Sequence, residues 1–341
     1  MKKILLAFFL FFTVFQGFSQ KKYKISCIAF YNLENLFDTI DEPGVRDEEF
    51  TPQGAKHWNT QKYYHKLKHL AEVISQLGTE LVPVGPVVMG VAEVENRSVL
   101  EDLVKQPAIA DRHYQIIHYD SPDERGIDVA LLYNPRFFRP EYTEKIPVHL
   151  PINDKTRDIL YVKGKLDGDE IHFFVTHWPS RWGGKERSEP LRIFVAKIIR
   201  AHVDSILKID PNAKIIIMGD LNDDPTDPSV KQVMRTVDKP RKIKPDLLFN
   251  PMEKKYKKGI GTLAYNDVWD LFDQFMLSYG LLGKDKTSYK YYDARIFNKK
   301  FLLQKSGRFK GYPYRSFVGN TFIGGYSDHL PVYLFLIKNV K

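Results

Sequence analysis

Cysteine is nearly absent: Cys27 is the one cysteine in 341 residues. That excludes a disulfide scaffold and any paired-cysteine zinc site. There is no Walker-type phosphate loop and no His-Glu-x-x-His helix. Beyond residue 15 no apolar run approaches the ~20 residues that span a bilayer, so no transmembrane segment is expected. Internal repeats and Gly/Ser linkers are missing too, and one compact domain over residues 22–341 is the simplest organisation. Two apparent motifs lack their context. Gly259 to Ala264 matches a dinucleotide fingerprint, but it follows a lysine-rich stretch rather than an apolar strand. Ser327, Asp328 and His329 supply the residue types of a hydrolase triad, yet adjacent residues point apart and no Gly-x-Ser-x-Gly elbow exists.

A globular composition is present, 43% hydrophobic and 27% charged, which excludes a disordered chain. The first residues, Met1-Lys2-Lys3, lead into an apolar run from Ile4 to Phe15 and then Gly17-Phe18-Ser19. A basic start, a short apolar stretch and a small-x-small end describe a signal peptide cleaved near residue 19, hence a secreted or periplasmic protein. Loss of Lys2 and Lys3 lowers the net charge from +9 to +7, a balance that suits an anionic partner. Cys27 lies in an alternating run and is expected in the core.

Strand-like runs cover residues 23–33, 87–91, 128–133, 159–166, 171–176, 215–218, 273–278 and 332–337. Helical patterns cover 61–77 and a stretch from Ser188, as cap, to about Leu207, with Pro190 in its first turn. The interleaving reads as α/β. Residues 236–262 are polar, lysine-rich and proline-broken, and read as a surface insertion or long loop.

Several apolar runs end in acids, amides or histidine. These are Tyr31-Asn32-Leu33-Glu34-Asn35, Ala92-Glu93-Val94-Glu95-Asn96, Thr176-His177-Trp178-Pro179-Ser180-Arg181, Gly219-Asp220-Leu221-Asn222, Asp270-Leu271-Phe272-Asp273 and Ser327-Asp328-His329. Strand ends of α/β folds are where sites are assembled. If they converge, Glu93, Asp220, Asp273 and Asp328 repel one another, by about 4 kcal/mol for a pair about 4 Å apart. Such a cluster needs a cation or a proton. Oxygen donors without cysteine favour Mg²⁺, or Mn²⁺ or Ca²⁺, over Zn²⁺. Histidines beside them offer acid–base function. The combination suits attack of water on a phosphoester.

These segments, in this order, resemble the endonuclease/exonuclease/phosphatase (deoxyribonuclease-I-like) superfamily, and Tyr31–Asn35 with Ala92–Asn96 resembles its secreted bacterial branch. The resemblance implies a four-layer sandwich, two packed mixed β-sheets flanked by helices. It implies that Asn32 and Glu93 hold the metal, with Asp328 a further ligand and Glu34 an acid nearby. Asp220 would orient or deprotonate water and Asn222 would hold the scissile phosphate. His329 would contact the phosphate, with Asp273 fixing its tautomer, and His177 would be the general acid. Arg125 and Arg181 are candidate phosphate contacts, and Asp128 a candidate partner for His177. The other eight histidines are assigned to surface or core.

Residues 284–315 carry ten basic side chains, two acids and eight aromatics. Basic groups that track phosphates and rings that stack on bases suit single-stranded nucleic acid. A solvated basic loop with its rings packed inward is the plain alternative. The expectation is a metal-dependent endonuclease, monomeric, with nucleic acid as substrate. The alternative is a phosphatase or phosphodiesterase on a small or lipid-linked phosphate, and a non-catalytic binding module is the third reading.

Overall fold

Alternation along the first strand explains the architecture. Cys27, Ala29 and Tyr31 join one buried cluster and Ile28 and Phe30 another, so both faces of this strand are covered and it lies in a central layer. The computed structural model describes residues 22–340; the leader expected at 1–19 lies outside them. In chain order the strands are β1 Tyr23–Leu36, β2 Pro86–Val94, β3 Gln115–His118, β4 Asp128–Tyr133, β5 Phe138–Ile146, β6 Ile159–Leu166, β7 Asp169–His177 and β8 Ile215–Asp220. They continue as β9 Thr236–Val237, β10 Leu248–Phe249, β11 Leu263–Tyr265, β12 Val268–Asp270, β13 Asp273–Ser278, β14 Lys290–Ile296, β15 Phe317–Val318, β16 Thr321–Phe322 and β17 Val332–Asn339. The α-helices are α1 Thr60–Gln76, α2 Arg97–Val104, α3 Lys185–Ile209 and α4 Glu253–Tyr256.

Two mixed sheets form, in the orders β14-β17-β1-β2-β4-β3 and β5-β6-β7-β8-β13-β10-β9. The pair β1–β2 is parallel in the first sheet and β7–β8 in the second. Between the sheets lie Ile28, Phe30, Val88, Phe173, Val175, Ile216, Met218 and Phe275. Leu67, Leu70 and Ile74 of α1 cover the outside of the first sheet, and Val195, Ile199 and Val203 of α3 cover the second. This is the four-layer arrangement, and Cys27 is buried and free within it.

Three local expectations fail. Ser188 does not cap α3, which starts from Gly184; the Ser188 hydroxyl instead donates to the Gly184 carbonyl at 2.8 Å. Residues 236–262 are not one loop. They supply β9 and β10, which pair in parallel and extend the second sheet along β13, and their polar Asn250 and Glu253 are buried. In residues 284–315 all but one of the aromatics are turned at least partly inward. Tyr289 and Phe297 are buried, Tyr291 stacks edge-on against Phe249, and of the eight rings Tyr292 alone is exposed. Within this segment β14 pairs with β17, and its Tyr291 packs against Phe249.

Candidate active site

Register places the first row of the site. His177 ends β7, Asp220 ends β8 and Asp273 begins β13; His177 pairs with Asp220 and Asp220 with Asp273 across adjacent strands. The second row comes from the other sheet. Asn32 lies on β1, and Glu93 sits at an irregularity in β2 where register slips between Ala92 and Val94. Ala92 faces the inter-sheet core whereas Val94 faces the helices, so the bulge reverses side-chain parity. Glu93 adopts φ 58°, a left-handed conformation that aims its carboxylate into the gap between sheets. His329 enters from the segment just before β17.

Asn32 joins the two rows. Its Nδ2 donates to Glu93 Oε1 at 3.2 Å and to Asp220 Oδ2 at 3.0 Å. The Glu34 amide donates to Asn32 Oδ1 and the Asn35 amide to Glu93 Oε2, each at 2.9 Å. His177 Nε2 lies 3.6 Å from Asp220 Oδ2 and 3.9 Å from Glu93 Oε1. His329 Nδ1 lies 2.8 Å from Asp273 Oδ2, and its Nε2 lies 3.7 Å from Asp220 Oδ2. The Asn222 amide donates to Asp220 Oδ1 at 2.9 Å. The Ser327 hydroxyl donates to the Asn32 carbonyl at 2.8 Å, which ties the β17 approach to β1.

Burial separates the titrations. Burial, with Asp273 and Glu93 adding repulsion against a favourable His329, pushes the Asp220 carboxyl up to about 6. Burial also disfavours the His329 cation, but Asp273 and Asp220 outweigh it and hold its pKa well above the usual value. His177 goes the other way: burial, then Arg157 and Arg125, push it well below, so it is neutral. Burial would raise Glu93, yet Arg125, His329 and the Asn32 and Asn35 donors hold it below the ordinary range. The free chain thus holds a cationic His329 and a neutral His177 about one carboxylate.

Among the described residues, two groups of donor atoms at this site could share a cation: Glu93, His177 and Asp220, and Asp220, Asp273 and His329; a third, His118, Asp120 and Asp128, lies apart from it. A buried Asp273 oxygen has no partner. Mostly carboxylate donors carrying an excess of buried negative charge fit a hard divalent ion.

The remaining expected residues fall outside this cluster. Asp328 is a quarter exposed and turns to Arg315 at 3.5 Å; it is in neither group. Glu34 accepts from the Ser316 amide at 2.8 Å and lies 3.4 Å from the buried Lys66 ammonium. Asp128 does not partner His177. Its oxygens accept from Ser121 and lie 2.9 Å from His118 Nε2, while His177 Nδ1 is buried without a partner. His118 on β3 lies diagonally across from it, since His118 pairs with Ala130. Arg181 is not free for phosphate. It is bound to Asp224 and Asp227 at 3.0 Å each and to Asp270 at 3.2 Å, and its Nε donates to the Asn222 carbonyl at 2.9 Å. Arg125 is half exposed, with Asp123 at 3.8 Å as its ion-pair partner. Sequence reasoning missed Arg157 and the Trp178 carbonyl. That carbonyl accepts from Arg157 Nη2 at 2.6 Å and from Asn222 Nδ2 at 3.0 Å. Arg157 lies in a loop before β6 and carries no local signal.

Solved structures share the fold. Zebrafish (D. rerio) TDP2 in complex with a single-strand DNA product superposes with a TM-score of 0.53 at 16% identity, covering 92% of this chain and 98% of that one. The human Nocturnin catalytic domain with bound sulfate gives 0.52 at 14% identity, over 94% and 98%. A Bacteroides thetaiotaomicron mannosyl-6-phosphatase gives 0.50 at 15% identity, over 91% and 99%. No curated protein matches by sequence. The sequence model of the Endonuclease/Exonuclease/phosphatase family matches residues 27–338. That match spans nearly all of the described chain and every strand end that builds the site, so the chain belongs to the endonuclease/exonuclease/phosphatase family of phosphoester hydrolases.

Proposed function

We propose that this chain is an exported, divalent-metal-dependent hydrolase that cleaves nucleic-acid phosphodiesters by attack of water. The observation that carries this reading is the meeting of Asn32, Glu93, His177, Asp220, Asp273 and His329 at one point between the sheets, with two histidines held in opposite charge states. Glu93 and Asp220, with Asn32 beside them, would hold Mg²⁺, Mn²⁺ or Ca²⁺, and the ion would supply positive charge to a phosphoryl oxygen. Asp220, with its pKa near neutrality, accepts a proton from water and orients it. His329, a cation fixed by Asp273, donates to a phosphoryl oxygen. Asn222 is held by Arg181 and the Trp178 carbonyl, ready to position the phosphate. His177 is neutral in the free chain, so an acid role requires that it take up a proton together with the anionic substrate.

Nucleic acid as substrate is supported by the single-strand DNA product in the zebrafish TDP2 complex. A phosphomonoester is the second reading, favoured by the likeness to a mannosyl-6-phosphatase. The test is the protein from residue 20 onward, with each metal or with chelator, on plasmid, single-stranded DNA, RNA, a small phosphodiester and a sugar phosphate. Polynucleotide cleavage that chelator abolishes is expected. Turnover of the sugar phosphate alone would replace the nuclease reading.

A further inference from the structure

A cavity of about 480 Å³ opens beside the segment that follows His177, and Pro179, Ser180 and Trp182 line it together with Arg125 and the 154–157 loop. Its size lies within the roughly 300–1,000 Å³ of small-ligand sites. The cavity shares its wall with the catalytic cluster. The Trp178 carbonyl takes hydrogen bonds from Arg157 on the cavity side and Asn222 on the catalytic side. The charges of Arg125 and Arg157 reach His177.

Trp182 stands at the rim, 83% exposed. Gly183 and Gly184 follow with φ 76° and 108°, conformations that most side chains avoid. The turn therefore presents the indole outward rather than folding it onto the core. Beneath it, Arg157 is committed to Asp123 at 3.0 Å, and Arg46 to Glu124. Lys155 has no carboxylate within 4 Å among the described residues, and Arg125 is half exposed. Two further polar atoms in the wall are buried without a partner, the Thr156 hydroxyl and Arg157 Nε. An exposed ring, Lys155, a half-exposed Arg125 held only at 3.8 Å by Asp123, and unpaired buried donors suit a ligand that has both a planar ring and an anionic group.

We propose that this cavity is a subsite for one nucleotide flanking the scissile phosphodiester, with its base stacked on Trp182 and its phosphate on Lys155 and Arg125. The proposal rests on the phosphodiesterase reading and deepens it, because a lone phosphate reaching Asp220 and His329 would not need this cavity. It also relocates the pairing of bases and rings expected in residues 284–315, where all but one of the rings are turned at least partly inward.

The experiment uses the protein from residue 20 onward. Trp182→Ala and Lys155→Gln are compared with wild type on a thymidine dinucleotide and on the same diester lacking either base. Trp182→Ala is expected to raise the KM of the full dinucleotide by about 5-fold to 100-fold, the span of one stacked base. The diester lacking the flanking base should change less than twofold, and kcat should hold on both. Lys155→Gln should weaken the base-free diester as well. Equal losses on all diesters in Trp182→Ala, or none, would overturn the subsite. A binding readout keeps the question separate from turnover: thymidine 5′-monophosphate added in chelator should quench wild-type tryptophan fluorescence but not that of Trp182→Ala. If wild type cleaves no diester while the nucleotide still quenches Trp182, the catalytic reading fails and the subsite stands. Quenching by glucose 6-phosphate but not by the nucleotide would assign the cavity to sugar phosphates and refute the proposal.

Discussion

Asp220→Asn should stabilise the metal-free protein while abolishing its activity. The Asp220 carboxyl is pushed up to about 6 from an ordinary 3.8, because burial and the neighbouring Asp273 and Glu93 disfavour its charge. Only 2% of the residue is exposed, so solvent does little to soften that penalty. The folded chain binds the Asp220 proton more tightly than the unfolded chain does. Its stabilising effect is complete below about 3.8 and is lost as pH rises through about 6. At pH 7.5 the gap between the two values amounts to about 3 kcal/mol against the folded state. Asparagine removes the charge but spoils the hydrogen bond from Asn32, a loss of about 1 kcal/mol. The net gain should be about 2 kcal/mol at pH 7.5 in chelator, and should vanish near pH 4. Urea unfolding in chelator at the two pH values measures it. Saturating Mg²⁺ should stabilise wild type more than the variant and reverse the order. Destabilisation of the variant at pH 7.5 in chelator would refute the idea that Asp220 is held ionised at a cost.

Asp273→Asn removes the partner that keeps His329 cationic. Stability should fall by about 3–5 kcal/mol at pH 6, as for a buried pair broken on one side; because the raised His329 pKa stabilises below about 6.5 and is lost as pH rises through its folded value, the deficit should shrink in alkali. Its kcat should drop on the order of 10²-fold or more, and proton NMR should find His329 titrating at a lower pH. Glu93→Gln should weaken Mg²⁺ binding in calorimetry and raise the metal needed for turnover. Arg181→Met should strand Asp224 and Asp270, Asp227 keeping Lys185, with a loss of several kcal/mol in thermal unfolding and a lower kcat through Asn222. Asp128→Asn should alter stability through His118 and leave kcat within about twofold, since it does not touch His177.

The site was legible where chemistry interrupts an apolar run. Residues such as Asp220 after Ile215–Met218, or His177 after Phe173–Val175, have no packing reason to be acidic or basic, and six such endings invite convergence. The four layers were implied by family resemblance; composition and periodicity reached only α/β. What stayed hidden depends on register and on charge across loops. His118 meets Asp128 through the β3–β4 pairing, which no spacing encodes. Arg181 reads as a phosphate contact because it follows His-Trp-Pro-Ser, yet Asp224 and Asp227 from the turn after β8 and Asp270 at the end of β12 enclose it. The rings of residues 284–315 are indistinguishable in sequence from stacking platforms. Only the pairing of β14 with β17 and the packing of Tyr289 and Phe297 turn them inward.

The two-sheet construction explains why the site tolerates so much unfavourable electrostatics. Glu93, Asp220 and Asp273 are crowded together, and Glu93 and Asn222 both sit at positive φ. Each left-handed residue costs of order 1–3 kcal/mol, and the unbalanced carboxylates add to it. No single hairpin could hold such a group. Here Asn32 and Glu93 are fixed by a strand pair inside the first sheet, and His177, Asp220 and Asp273 by three consecutive strands of the second. The apolar layer between the sheets, from Ile28 and Phe30 to Met218 and Phe275, sets the distance between the rows. A methylene lost from that layer should therefore disturb the 3.0 Å contact between Asn32 and Asp220 before it unfolds the chain. Met218→Ala is the sharper case, because Met218 lies two residues before Asp220 on the same strand and packs between the sheets. It should cost about 2–5 kcal/mol in stability. It should also lower kcat for a small phosphodiester, since it shifts Asp220, which orients the water, relative to Asn32 and Glu93 on the other sheet. An equal loss of stability with an unchanged kcat would show that the spacing between the sheets is not what aligns the site.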